Sequence, residues 1–173
     1  MVATLLLDVV SAALMDAGVP HIRYLDDFLI AATTEWRAWA CAHLAANLLI
    51  AFGLALSLKK VEGPLQRIEF LGIVIDSIME TLEISEERQE ELLGLLRAFS
   101  KRVKAAAIRL HSLLGKLSFA STVLPGARPF LRRIFDTLAG RVHGSVRLGA
   151  AFRLEMWHWL AHIAQWNGKA RWR

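Results

Sequence analysis

Two adjacent carboxylates, Asp26 and Asp27, stand between two short apolar runs, residues 21–25 and 28–32. Runs of this length that are rich in Ile, Leu, Tyr and Phe predict two strands, which places the acidic pair at or beside a tight hairpin turn. Beside such a turn both carboxylates can approach one point, where they repel each other unless they share a cation. A hard divalent ion such as Mg²⁺ suits these oxygen ligands.

The acidic pair is also an unusual hairpin turn. Two-residue hairpin loops favour Asn-Gly or Asp-Gly, and an unfavourable residue at a sharp bend often accompanies function. A bare Asp-Asp dipeptide is nevertheless more often an ordinary solvated acidic turn. The choice between a cation site and a solvated turn therefore depends on the rest of the chain.

The hydrophobic periodicity predicts an α+β chain that changes from a mixed pattern to an all-helical one near residue 85. Thr33-Thr34 and Ser85 offer N-caps, and Gly18 with Pro20 stops the first helix. The predicted helices span residues 2–17, 34–52, 105–124, 128–139 and 145–165, with another beginning at Ser85. The predicted strands span residues 21–25, 28–32, 54–58, 67–77 with Gly72 inside, and 78–84 as the return strand of a second hairpin.

The net charge of +5 hides a strong asymmetry along the chain. Residues 1–100 contain seven Lys/Arg and fourteen Asp/Glu, whereas residues 101–173 contain fourteen Lys/Arg and two acids, a net charge of +12. Such a basic half predicts a polyanionic partner, either nucleic acid or an anionic membrane. The single cysteine, Cys41, excludes an internal disulfide and fits an intracellular location.

A membrane span is the alternative use of the apolar composition. Residues 38–58 carry no formal charge over 21 positions, which is long enough to cross a bilayer. Their Ala-rich composition and the internal His43 and Asn47 favour a buried helix followed by a strand. The N-terminal apolar run contains Asp8 and lacks a basic flank, so it is unlike a signal peptide. A small membrane protein stays a third hypothesis.

His111, Gly115 and Phe119 are spaced i, i+4, i+8 and therefore share one face of a predicted helix. The glycine allows another backbone to approach, and the aromatic and imidazole groups suit the minor groove of a nucleic-acid duplex. Lys116 and Arg109 are placed to add phosphate contacts. A helix packed on the core would show the same spacing.

Several blocks, in order, resemble the reverse transcriptases. Tyr24-Leu25-Asp26-Asp27 resembles the family's Tyr-x-Asp-Asp signature, and the following blocks resemble the rest of the polymerase palm and the thumb of retroviral and retrotransposon enzymes. Arg128-Pro129-Phe130-Leu131-Arg132-Arg133 and Trp166-Asn167-Gly168 look most like retroelements that carry a tyrosine recombinase, the DIRS type. Between the block at residues 24–27 and the block at residues 128–133, the matching segments are Gly53-Leu54, Lys59-Lys60, Phe70-Leu71-Gly72, and residues 114–121 followed by Pro125-Gly126.

The resemblance implies a right-hand RNA-directed DNA polymerase that uses two Mg²⁺ ions, an RNA/DNA template–primer and, in the full-length enzyme, a dNTP. It implies Asp26 as the principal metal ligand of the hairpin, Asp27 as its assistant, and Lys60 as the acid for the pyrophosphate leaving group. Phe119 and His111 depart from the Trp and Gln that are common on the thumb face. The remaining implied contacts are Tyr24 beneath the primer terminus, a primer grip of Phe70, Leu71 and Gly72, and nucleic-acid contacts from His111, Gly115, Lys116, Phe119, Arg128, Arg132 and Arg133.

The resemblance also divides the chain, with residues 1–84 as the C-terminal part of the palm, 85–140 as the thumb and 141–173 as the start of a connection toward an RNase H domain. The family's active site needs a third carboxylate on an earlier strand. Asp8 and Asp16 lie in a helical pattern and do not fit that role. We therefore expect a fragment that does not polymerise DNA alone, and the alternative is a non-catalytic nucleic-acid-binding module.

Overall fold

The computed structural model describes residues 2–172, and the side chains of all of these except residues 2, 3 and 58. The described chain forms two compact units, Met1–Leu65 and Gln66–Arg173. The boundary between the units lies at residue 65, whereas the palm and thumb boundary expected from the resemblance lies at residue 84. The palm and thumb assignment stays a prediction.

The first unit packs a β-hairpin against two helices. Phe28 and Ile30 on the inner face of the hairpin pack against a small core that includes Val10, Leu14 and Cys41. Its elements are α1 (Val2–Asp16), β1 (His21–Tyr24), β2 (Asp27–Ile30), α2 (Glu35–Ala51) and a 3-10 helix (Leu58–Lys60).

Helix α2 has the ends that its sequence predicts. The backbone N–H of Arg37 donates to the hydroxyl of Thr34 at 3.3 Å, which caps the first turn. Gly53, with φ of 75°, takes the left-handed position just after the helix. Across residues 2–172 no helix is both long enough and apolar enough to span a bilayer.

The predicted strand over residues 54–58 is wrong. Residues 54–57 are irregular and lead into the 3-10 helix Leu58–Lys60. The short apolar run suited a strand, but within the described chain no neighbouring strand pairs with it. A strand is stable only when its backbone groups find a partner, so the run stays irregular.

The second unit combines a four-stranded antiparallel sheet, a two-stranded sheet and four α-helices. The larger sheet has the order β3-β4-β5-β8, and the smaller pairs β6 with β7. Its strands are β3 (Arg67–Phe70), β4 (Ile73–Asp76), β5 (Thr81–Ile84), β6 (Lys104–Ala106), β7 (Ser145–Arg147) and β8 (Ala170–Arg171). Its helices are α3 (Glu86–Ser100), α4 (Ala107–Ala120), a 3-10 helix (Arg128–Leu131), α5 (Arg132–Leu138) and α6 (Ala150–Trp166).

Residues 67–77 form two strands and not the single predicted one. Phe70 pairs with Ile73, so Leu71-Gly72 is a two-residue hairpin loop. Both loop residues have positive φ, 56° and 79°, which is the type I′ pattern. The apolar run concealed the turn because Leu71 is not a typical turn residue.

The all-helical pattern predicted after residue 85 is wrong in three short stretches. Strands β6 and β7 pair across about forty residues of sequence, and β8 adds an edge to the larger sheet. Helix α4 therefore begins at Ala107 and ends at Ala120, inside the predicted 105–124. The predicted 128–139 helix is a 3-10 turn followed by α5, and the predicted 145–165 helix is β7 followed by α6.

The core of the second unit lies between α3, α4, α5 and α6, and Trp159 is fully buried in it. Its indole N–H donates to the carbonyl of Phe130 at 2.8 Å, which ties α6 to the 3-10 helix. Trp157, in contrast, is 61% exposed. The two tryptophans lie two residues apart on a helix and so point to different sides.

The end of α6 is fastened to the larger sheet by a side chain. The amide of Asn167 accepts a hydrogen bond from the N–H of Ile84 at 2.8 Å and donates to its carbonyl at 3.1 Å. The same amide nitrogen donates to Gln89 in α3 at 2.9 Å. The Asn167 side chain thus connects the end of α6 to β5 and to the start of α3.

Candidate active site and nucleic-acid interface

The acidic pair lies on a two-residue hairpin turn. Tyr24 pairs with Asp27, so Leu25 and Asp26 form the loop and Asp27 begins β2. Leu25 has φ of 54°, and positive φ at the first loop residue alone is typical of a type II′ turn. The predicted hairpin is confirmed. Strand β1 ends one residue before its predicted end, and β2 begins one residue earlier and ends two residues earlier than predicted.

Arg23 braces this turn from the inner face of the hairpin. Its guanidinium donates to the carbonyl of Leu25 at 2.8 Å and forms an ion pair with Asp8 in α1. The contact offsets part of the cost of a leucine in the left-handed region. Asp8 is engaged in this ion pair and does not accompany Asp26 and Asp27 as a free carboxylate.

Asp26 and Asp27 are both exposed, and neither carboxylate has a hydrogen-bond or ion-pair partner among the described residues. Tyr24, the cross-strand neighbour of Asp27, is 55% exposed on the same outer face of the hairpin. Two unpaired carboxylates on one turn are chemically suited to a hard divalent cation. They fit Mg²⁺ as part of a ligand set.

The set is incomplete within the part of the chain that the structure describes. No group of three or more His, Cys, Asp or Glu side chains there is arranged to hold a metal ion. Asp16 ends α1 and Asp8 pairs with Arg23, so neither extends the pair. A two-metal site on this hairpin requires a further carboxylate from another segment.

Lys60 ends the short 3-10 helix of the first unit and is exposed. No hydrogen bond or ion pair in residues 2–172 joins it to Asp26 or Asp27. Its ammonium group makes no hydrogen bond or ion pair with any other described residue either. Its predicted role as an acid stays a prediction.

The predicted primer grip is the type I′ turn of the second unit. Phe70 and Leu71 are half-buried and Gly72 is buried. The carbonyl of Gly72 accepts a hydrogen bond from the N–H of Ser85 at 3.1 Å, which ties the turn to the start of α3. Ser85 precedes α3 as expected, but its hydroxyl is buried and makes no capping hydrogen bond.

His111, Gly115 and Phe119 lie along one face of α4, as their spacing predicts. Gly115 has open space where a β-carbon would stand. His111 donates from Nε2 to the carbonyl of Arg141 at 2.8 Å, so its ring is held by the chain between α5 and β7. The glycine thus leaves a shallow opening between an imidazole and an aromatic ring.

The basic residues near this face differ in their engagement. Lys116 forms an ion pair with Glu91 of α3 at 2.5 Å. Arg133 contacts Asp136 at 3.4 Å, and its backbone N–H donates to Glu155. Both side chains already form an ion pair with an acidic residue, which makes them less available to bind a phosphate.

Arg128 and Arg132 line an open groove of about 650 Å³ beside the C-terminal half of α4. Neither forms an ion pair with a described residue. Phe135 is 54% exposed along the same wall. The remaining lining residues are Ser118, Ser121, Pro129 and Leu131. Two of the three arginines predicted to contact nucleic acid in this segment, Arg128 and Arg132, therefore lie together in this groove.

Arg88 carries no functional signal in the sequence. It lies in the first turn of α3, and its guanidinium carbon is 4.8 Å from the centre of the Phe119 ring. Its side chain also fills the space where a β-carbon on Gly72 would stand. No spacing in the sequence connects these three positions, so only the tertiary structure reveals the contact.

No family model and no curated protein matches this sequence. Three solved structures of foamy viral protease-reverse transcriptase are similar to it. The dRH form in complex with double-stranded DNA has a TM-score of 0.73 at 16% identity and covers 95% of this chain and 27% of its own. The complex with an RNA/DNA hybrid has 0.71 at 16%, covering 95% and 21%, and a further complex with double-stranded DNA has 0.69 at 15%, covering 96% and 34%.

This chain therefore spans about a fifth to a third of those proteins. The likeness shows that its mixed α+β fold, with small antiparallel sheets and six helices, matches part of a reverse transcriptase polymerase domain.

Proposed function

We propose that this chain is a part of a reverse transcriptase that binds an RNA/DNA template–primer and supplies two carboxylates to nucleotidyl transfer. The observation that carries the proposal is the exposed, unpaired Asp26-Asp27 turn in a fold similar to a reverse transcriptase polymerase domain. The motif blocks extend the proposal to a retroelement of the DIRS type.

In this proposal Asp26 is the principal metal ligand and Asp27 assists it. Bound Mg²⁺ would activate the primer 3′-hydroxyl and stabilise the charge on the pyrophosphate leaving group. Arg23 holds the turn that presents both carboxylates, and Tyr24 packs beneath the primer terminus from the same outer face. Lys60 donates a proton to the pyrophosphate, for which an exposed ammonium group is suited.

The second unit positions the duplex. The Phe70-Leu71-Gly72 turn contacts the primer end, and the His111, Gly115 and Phe119 face enters the minor groove. Arg128 and Arg132 bind phosphates from the neighbouring groove. A net charge of +12 over residues 101–173 supports binding to a polyanion of this kind.

These 173 residues alone are proposed not to polymerise DNA, because the described residues hold no third carboxylate beside the pair. A primer-extension assay with Mg²⁺, an RNA/DNA template–primer and dNTPs tests this. We expect no template-dependent incorporation by this chain, and incorporation would contradict the proposal.

A non-catalytic nucleic-acid-binding module is the second candidate, favoured by the unpaired Arg128 and Arg132 in an open groove. Both candidates predict binding of a labelled template–primer whose affinity falls steeply between 50 and 200 mM salt, here about tenfold or more. Flat, weak binding would count against both. The candidates separate in a Mn²⁺ titration of the template–primer complex: only the first predicts metal binding that is lost on Asp26→Asn.

A further inference from the structure

Arg88 is held in place from two sides within the second unit. Its guanidinium lies over the Phe119 ring at 4.8 Å, a cation–π distance. Its Nε and the adjoining Cδ and Cζ lie where a β-carbon on Gly72 would stand, so the side chain fits only because residue 72 is glycine. A long side chain that is fixed by two neighbours loses little further entropy when it binds a ligand.

Arg88 is also electrostatically available. It is exposed, and it makes no hydrogen bond or ion pair with a described acidic group. Glu91, on the same side of α3, lines the same small cleft but is engaged by Lys116 at 2.5 Å. Of the two cations that line this cleft, Lys116 is paired, whereas Arg88 has no ion pair with a described residue.

The α4 face has a cationic edge on each side. Successive residues of a helix are rotated by about 100°, so Ser118 lies on one side of the face formed by His111 and Gly115, and Lys116 on the other. Ser118 lines the groove of Arg128 and Arg132, while Lys116 lines the cleft of Arg88. The wide minor groove of an A-form duplex is bordered by two phosphate strands, and cations on both edges match that arrangement.

We propose that Arg88 binds a backbone phosphate of the duplex strand that runs along the α3 side of this face, with Phe119 and Gly72 positioning its guanidinium. The inference rests on the proposed nucleic-acid-binding function and adds a contact residue to it. Arginine suits this task because its planar guanidinium can stack on a ring and still donate to phosphate oxygens.

The test compares Arg88→Gln with Arg97→Gln in the whole chain. Arg97 is an exposed arginine nine residues later in α3, about 180° around the helix from Arg88. Because both residues are arginines, the two substitutions change the net charge equally. Fluorescence anisotropy with a labelled RNA/DNA template–primer is measured from 50 to 300 mM salt. For Arg88→Gln we expect an affinity about 5- to 10-fold lower at 100 mM salt and a log–log salt slope smaller by about 0.9.

For Arg97→Gln we expect an affinity and slope close to those of the unmodified chain. Unchanged unfolding of Arg88→Gln in urea shows that the loss is not a folding defect. An Arg88→Gln slope and affinity equal to those of Arg97→Gln would overturn the assignment while leaving the proposed function in place. If the unmodified chain itself fails to bind, the proposed function and this assignment both fall.

Strand selectivity gives a second measurement. Two template–primers are prepared, each with a neutral methylphosphonate backbone in one strand. We expect Arg88→Gln to weaken binding of only one of them, because the residue contacts a single strand. Equal weakening of both would contradict a phosphate contact at one edge of the face.

Discussion

The side chain of Arg88 occupies the position that a β-carbon on Gly72 would take. Gly72 has φ of 79° and closes the type I′ turn of the predicted primer grip. Residues 72 and 88 are therefore sterically matched: the glycine supplies both the left-handed backbone and the space for the arginine.

Gly72→Ala is expected to reproduce the binding loss of Arg88→Gln, because the new methyl group displaces the guanidinium from Phe119. It is also expected to destabilise the second unit by about 1–3 kcal/mol through the strained positive φ. Urea unfolding and template–primer anisotropy measure the two effects. In an Arg88→Ala background the binding loss from Gly72→Ala should vanish, and a full additional loss would contradict the steric coupling.

Asn167→Ala is expected to destabilise the second unit by about 1–3 kcal/mol, because Ile84 is almost fully buried and its N–H would lose its partner. Urea denaturation followed by tryptophan fluorescence measures the change. Gln165→Ala, an exposed substitution two residues away, serves as the control and should change stability little. Equal effects from the two substitutions would show that the Asn167 amide does not fasten the sheet.

We expect the second unit to lose stability in acid because of the lowered pKa of Asp76. The backbone N–H groups of Met79 and Ile78 and the guanidinium of Arg67 lower the pKa of its carboxyl below the ordinary 3.8. Because the folded-state pKa is the lower one, its contribution is fully present above pH 3.8 and is lost as pH falls below that value. Unfolding in urea between pH 2.5 and 5 measures it, and Asp76→Asn should flatten the dependence. An equally steep acid loss in that variant would point to other carboxyls.

Asp26→Asn with Asp27→Asn is expected to leave the unfolding free energy unchanged within about 0.5 kcal/mol, since both side chains are exposed and unpaired. The same double variant should lose any weak Mn²⁺ binding detected by paramagnetic broadening of signals from the hairpin. Asp16→Asn at the end of α1 removes one exposed charge from the same unit and is the control for a non-specific charge effect. A large stability change would mean that the pair has a structural role.

Much of this arrangement follows from local sequence. The hairpin at Asp26-Asp27, the Thr34 cap and the shared face of His111, Gly115 and Phe119 depend on residues within a few positions of one another. Backbone preferences, capping hydrogen bonds and helical periodicity operate at that range. The same local order of motifs carried the resemblance to reverse transcriptases, which the fold comparison supports at the level of the polymerase domain.

The tertiary structure decided what distant residues do to one another. Strands β6 to β8 are only two or three residues long, and they exist because segments far apart in sequence pair. Lys116 was expected to be free and is paired with Glu91, while Arg88 carried no signal and lies between Gly72 and Phe119. Periodicity fixes which face of an element a side chain occupies, but its partner depends on long-range packing. The pairing of Lys116 and the position of Arg88 could therefore be identified only in the folded chain.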